Sequence, residues 1–189
     1  QPVPGLTIPD PPAVPATAPN TIVTTLANGA KIASEDTGGA SVAVGMYIAA
    51  GSKNENPYTV GAAHLLERMA FKATMNRTTF RVTREAEVIG ANLLASASRE
   101  QMAYTVDCLK TNLPEAVELL ADTVMNPKLA DHEVAEVANA LKTEMADLAS
   151  NPANLLMEAV HAVAFDGGLG QPLVATGGAL SRLDGDTLA

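Results

Sequence analysis

The chain has 189 residues, a length that fits one domain or one lobe of a larger protein. Apolar residues make up 47% and charged residues 17%, which excludes disorder over most of the length; aromatics at 3% and no Trp leave an aliphatic core. A formal charge of -9 repels phosphate backbones and argues against nucleic acid as a partner.

Residues 1–20 carry Pro2, Pro4, Pro9, Pro11, Pro12, Pro15 and Pro19 and predict an extended proline-rich arm, followed by a folded lobe over 21–189. Thr21 to Leu26 and Ala30 to Glu35 flank Asn28-Gly29, a β-hairpin signal, because a tight turn wants residues at positive φ. Ser41 to Ala50 is apolar on both faces and predicts a strand in the centre of a covered sheet. Val60, Ala63, Leu66 and Ala70 recur at helical spacing within a predicted helix from Thr59 to Phe71. A second helix runs from Thr79 to Val88, with Gly90 ending it. Ala91 to Ser98 and Gln101 to Leu109 read as strands joined by a polar turn. Leu113 to Met125 reads as a helix with Pro114 in its first turn. Asp131 is expected to cap a long amphipathic helix to about Leu148, Asn151 caps another to about Phe165, and a short helix begins near Ser181. This order predicts an α+β sandwich, a mainly antiparallel sheet with helices packed on one face.

Cys108 is the single cysteine and lies in an apolar run, so no internal disulfide framework exists and a buried, inert thiol is expected. No apolar stretch reaches the roughly 20 residues that cross a bilayer. Asn76-Arg77-Thr78 matches a glycosylation acceptor pattern that is common by chance.

The chemistry concentrates in Ala63-His64-Leu65-Leu66-Glu67-Arg68-Met69. Residues three and four apart share a helix face, so His64, Glu67 and Arg68 project together. Zinc hydrolases with the inverted motif place His-x-x-Glu-His there: two imidazoles hold the metal and the glutamate takes a proton from bound water. Here Arg68 stands where the second imidazole would be. A guanidinium stays charged and offers no lone pair.

The runs Leu26 to Ala33, Val44 to Ser52, Gly61 to Lys72 and Ser98 to Gln101 resemble the pitrilysin-type metallopeptidases, in particular the mitochondrial processing peptidase and the related core proteins of respiratory complex III. The resemblance covers residues 21–189 and implies that family's half-unit, with its final strand and helices lacking here. It implies a third zinc ligand, a glutamate on a later helix, at the position of Glu144. It also implies an assisting glutamate two turns earlier, where this chain has Val137. His64, Glu67 and Glu144 match the pattern; Arg68 and Val137 depart from it. Two donors beside a fixed positive charge make a poor zinc site. Arg68 is therefore expected to form a buried bidentate pair with Glu67 or Glu144 in place of the metal.

The resemblance thus implies a non-catalytic alpha-type subunit with no metal and no cofactor. Its setting would be mitochondrial, peripheral on the matrix side of the inner membrane, as a structural core subunit of complex III. Implied partners are a beta-type processing peptidase or core subunit, a polypeptide completing the C-terminal part of the fold, other complex III subunits, and basic presequence peptides. One alternative is an active zinc endopeptidase that cleaves mitochondrial presequences and holds zinc through His64 and Glu144. Another is a scaffold subunit of a different mitochondrial complex. Against these readings, His64 alone could be a core histidine and Glu144 one more exposed glutamate beside Glu133 and Glu136. His132 and His161 carry no pattern.

Overall fold

A computed structural model describes residues 21–149 and 151–188; the expected proline-rich arm lies outside the described residues. Contacts divide the chain into two units, residues 1–39 and 40–189.

In the first unit, β1 (Ile22–Thr25) pairs antiparallel with β2 (Lys31–Ser34). Gly29 adopts φ +87°, the left-handed conformation that the Asn-Gly pair anticipates. The Leu26 N–H donates to the Ala30 carbonyl at 2.8 Å, and Asn28 Oδ1 accepts the Ala30 N–H at 3.1 Å, closing the turn.

The second unit holds a three-stranded antiparallel sheet of β3 (Ser41–Ile48), β4 (Asn92–Ala97) and β5 (Met102–Leu109), in the order β3-β5-β4. The expectation of a central strand at Ser41 to Ala50 is corrected: among the described residues β3 is an edge strand and β5 is central. The reason lies in alternation. Val42, Val44 and Met46 are half-buried on one face, while Ser41, Ala43, Gly45 and Tyr47 are exposed on the other. Small residues on the outer face made the strand look apolar throughout. β5 instead buries Met102, Tyr104, Val106 and Cys108 and pairs on both sides. Burial raises the Cys108 thiol pKa, in keeping with an inert core cysteine.

One face of the sheet is covered by α1 (Ala62–Met69) and α3 (Leu113–Met125). α2 (Thr79–Ile89) packs on α3 through Val82, Ala86 and Leu119. Thr78 caps α2 by accepting the Arg81 N–H, and Gly90 at φ 64° ends it. α4 (Asp131–Ala149) lies against α1. Asp131 is its first residue, and the Asp131 carboxylate accepts the Gly185 N–H at 3.1 Å, so it ties the helix start to α7 (Gly185–Leu188). α6 (Gly177–Leu180) contributes Ala179 and Leu180 to the interior.

The helix predicted over Thr59 to Phe71 is shorter, because Gly61 at φ 89° lies outside it at the start and Ala70, at ψ 139°, has already left it at the end. Its anticipated apolar row, Ala63, Leu66 and Ala70, packs on the sheet. A second row, Leu65 and Met69, packs on α4 and α6. α1 therefore sits between two apolar layers.

α5 (Pro152–Ala164), capped by Asn151 on the Ala153 N–H, is built the other way round. It has no buried residue. Its half-buried Glu158 turns inward, pairing with Arg99 Nη2 at 2.7 Å and accepting the Leu173 N–H at 3.1 Å. Leu155, Leu156, Met157, Val160 and Val163 are exposed, Val163 by 89%.

A polar knot holds α1, α2 and α3 together through the segment between α1 and α2. Arg77 donates to Asp122 from Nη1 at 2.7 Å, to Glu85 from Nε at 2.7 Å and to Glu118 from Nη2 at 2.5 Å. Asp122 also accepts from the Thr74 hydroxyl and from the amide nitrogens of Asn76 and Asn126. The side-chain amide of Asn76, an exposed residue of the glycosylation-like triplet, is thus engaged by Asp122. Burial would raise the Asp122 carboxyl, but these hydrogen bonds outweigh it and hold its pKa well below the usual carboxylate range. A depressed pKa means stability that is present at neutral pH and lost as pH falls below the ordinary aspartate value. Arg77 keeps Glu85 and Glu118 when Asp122 is neutralised, so what is lost is a set of charge-assisted hydrogen bonds, about 1.5–3 kcal/mol. Asp122→Asn is expected to lose stability of that order at pH 7 in urea unfolding, and to flatten the acid side of the stability–pH curve. An unchanged acid limb would show that Asp122 is not the group responsible.

Candidate functional site

The site is the seam between α1 and α4. Leu65 and Met69 of α1 meet Val134, Val137, Ala138 and Leu141 of α4, with Leu65 and Leu141 almost fully buried. Arg68 follows Leu65 by one turn and Glu144 follows Leu141 by one turn. The apolar contact therefore brings the guanidinium and the carboxylate face to face, and Arg68 Nη2 pairs with Glu144 Oε1 across the seam.

Two features differ from the expected pair. The side chains are 42% and 41% exposed, not buried, and the pair rests on one nitrogen–oxygen contact. Both residues sit beside the apolar row of Leu65, Met69 and Leu141, at the water-facing edge of the seam. Glu67 is not the partner: its Oε2 accepts the Ala97 N–H of β4 at 3.0 Å.

His64 is buried, and its Nδ1 accepts the Ala175 N–H at 3.2 Å. Burial lowers its pKa; the nearby carboxylates Glu67 and Glu144 oppose the shift and Arg68 adds to it. Because Nδ1 accepts the Ala175 N–H, the lone pair of the neutral ring lies on Nδ1 and its proton on Nε2. Val137 lies 8% exposed in the α1–α4 core, so its methyls occupy apolar space and not a polar site.

The structure brings His64, Glu67, Arg68 and Glu144 to one region. His132 is exposed. His161 is half-buried on α5, where its Nδ1 bonds the Met157 carbonyl. Sequence reasoning missed Ala97 and Ala175 as the groups engaging Glu67 and His64. Their contribution is backbone N–H, which no side-chain motif encodes. It also missed Glu55, whose carboxylate accepts the Gly61 and Ala63 N–H groups at 2.8 Å each.

This fold and this helix motif define a class: the chain belongs to the insulinase family of peptidases, Peptidase family M16, whose model matches residues 31–177. The chain is 51% identical over 187 residues, 99% of its length, to the probable mitochondrial-processing peptidase subunit alpha-1 of Arabidopsis thaliana. It is 41% identical over 147 residues (78% of the chain) to the mitochondrial-processing peptidase subunit beta of Bos taurus. To cytochrome b-c1 complex subunit 1 of Mus musculus it is 40% identical over 149 residues (79%). The aligned region spans 37%, 30% and 31% of these relatives, so the chain corresponds to about a third of their length.

The family implies zinc, and the donors here do not fit it. A neutral imidazole has one lone pair, and that of His64 is spent on the Ala175 N–H. Arg68 has none, and Glu144 is engaged by Arg68. Among the described residues no group of three His, Cys, Asp or Glu side chains is placed to hold a metal ion.

The exposure of the Arg68–Glu144 pair sets its energetic value. Water screens it, so it is worth about 0.2–1 kcal/mol. Arg68→Ala is expected to cost no more than that in urea unfolding. Val137→Glu, which restores the family's glutamate, buries an unpaired carboxylate and is expected to cost more than about 3 kcal/mol. A tolerated Val137→Glu would mean that the α1–α4 core opens at this position.

Proposed function

We propose that this chain is a non-catalytic alpha-type subunit of a mitochondrial processing-peptidase-like assembly, and that it serves as a structural core subunit of respiratory complex III on the matrix side of the inner membrane. The observation that carries this reading is the Arg68–Glu144 pair, a fixed cation standing at the metal position of the motif. The engaged states of His64 and Glu67 support it, since neither donor is free for a metal or for a water molecule. The core-subunit role is supported by the likeness to a cytochrome b-c1 complex subunit.

Catalysis would reside in a beta-type partner. The likeness to a beta subunit supports pairing between homologous chains. The outward apolar side of α5 supports coverage by further polypeptide, because a face of this kind is seldom left to water. The acidic balance of the chain would favour basic presequence peptides.

The test is made on the assembly. Metal analysis is expected to find no stoichiometric zinc attributable to this chain. Glu67→Gln here is expected to leave presequence cleavage by the purified assembly unchanged, and the chain should co-purify with haem-containing subunits. One zinc per chain, lost in His64→Ala together with cleavage, would establish the active endopeptidase instead. Co-purification with a complex lacking haem would establish a scaffold elsewhere.

A further inference from the structure

We infer that Glu55 is the positioning residue of the α1 site: its carboxylate does the capping that Gly61 cannot, and so holds the rotation of α1 that aligns Arg68 with Glu144 and His64 with Ala175.

The argument begins with the length of α1. Its 8 residues make about two turns, too short for a helix to hold itself without tertiary support. A helix start normally receives a side-chain oxygen from its cap residue. Here the cap is Gly61, at φ +89°, with no side chain to offer. Glycine is required on two counts. The left-handed backbone strains any other residue, and a Cβ at position 61 would lie 2.5 Å from the Ala175 Cβ. That close approach accompanies the Ala175 N–H bond to His64. The contact that satisfies the buried imidazole therefore removes the natural cap.

Glu55 replaces it from six residues upstream. Oε2 accepts the Gly61 N–H and Oε1 the Ala63 N–H, both at 2.8 Å. Thr59 supplies a carbonyl to the Ala62 N–H at 2.9 Å, so successive free donors of the first turn are satisfied. A carboxylate at this end also matches the helix dipole. Burial pushes the Glu55 carboxyl pKa up, and the two N–H bonds draw it part of the way back.

Glu55 is itself anchored to the sheet. The Ser52 N–H donates to the Ser98 carbonyl at 3.3 Å, and the Lys53 N–H to the Arg99 carbonyl at 2.9 Å. Lys53 Nζ pairs with Glu100 at 3.0 Å. A Cβ on Gly51 would meet the Ser98 carbonyl oxygen at 2.4 Å, so the loop runs flush against the β4–β5 turn. The carboxylate thus transmits the position of the sheet to the start of α1. A slip of one residue would rotate the helix by about 100°. Arg68 would then leave Glu144, and Glu67 would leave the Ala97 N–H.

The test combines amide hydrogen exchange by NMR with a double-mutant cycle between Arg68 and Glu144. In the wild-type chain the Gly61 and Ala63 amides are expected to be protected. In Glu55→Gln, which keeps shape but turns an NH2 toward one of the two donors, both should exchange about tenfold faster while β5 amides are unchanged. The Arg68–Glu144 coupling should fall toward zero in that background. Leu119→Ala, which loosens a separate core cluster, should lower stability and leave the coupling intact. Wild-type Gly61 and Ala63 amides exchanging like open loop, or a coupling that survives Glu55→Gln, would overturn the inference. So would equal loss of coupling in Leu119→Ala.

Discussion

The organisation of the lobe depends on one contact, the packing of Leu65 and Met69 of α1 into Val134, Val137, Ala138 and Leu141 of α4. These side chains are no more than 8% exposed, and each of the Leu, Met and Val residues contributes roughly 1.5–3 kcal/mol of transfer free energy. The polar groups of the seam contribute far less individually. Apolar burial brings the two helices together, the Glu55 cap fixes the rotation of α1, and the remaining polar residues meet where these two put them. Arg68 and Glu144 are neighbours because each lies one turn past a leucine that packs against the other helix.

That hierarchy explains how a peptidase scaffold tolerates a change of sign in its motif. A zinc ion bridging α1 and α4 would be one way to bind the open end of the seam. An arginine–glutamate pair is another, weaker because water reaches it, yet sufficient since the leucines already hold the helices together. Val137 belongs to the same logic: its buried side chain extends the apolar contact between α1 and α4.

The molecule also separates polar restraint from polar chemistry. Arg77 and Asp122 form a dense network far along the chain from the motif, and it secures α2 and α3 without presenting a reactive group. Glu55 does similar work at the start of α1. In α5 the arrangement is inverted: Glu158 is used inward as a tether to Arg99, and the apolar residues face out. A chain that spends its carboxylates on internal hydrogen bonds and leaves an aliphatic helix face exposed is suited to assembly with other chains.

Much of this was legible in the residues. Alternation and helical spacing located every strand among the described residues and most helices, and Asn28-Gly29, Gly90 and Asn151 marked turns and caps because those side chains and that backbone freedom have local consequences. The motif identified His64, Glu67 and Arg68 as one face, since helical spacing alone decides it. Tertiary structure decided the rest. It placed β3 at an edge, because pairing partners are set by distant segments. It chose Glu144 over Glu67 as the partner of Arg68 and left that pair in water, because both side chains lie at the edge of the apolar seam. It gave His64 and Glu67 to backbone N–H groups that carry no sequence signature. Local chemistry is written in the order of residues; which groups it meets is settled only when buried apolar surface brings remote segments together.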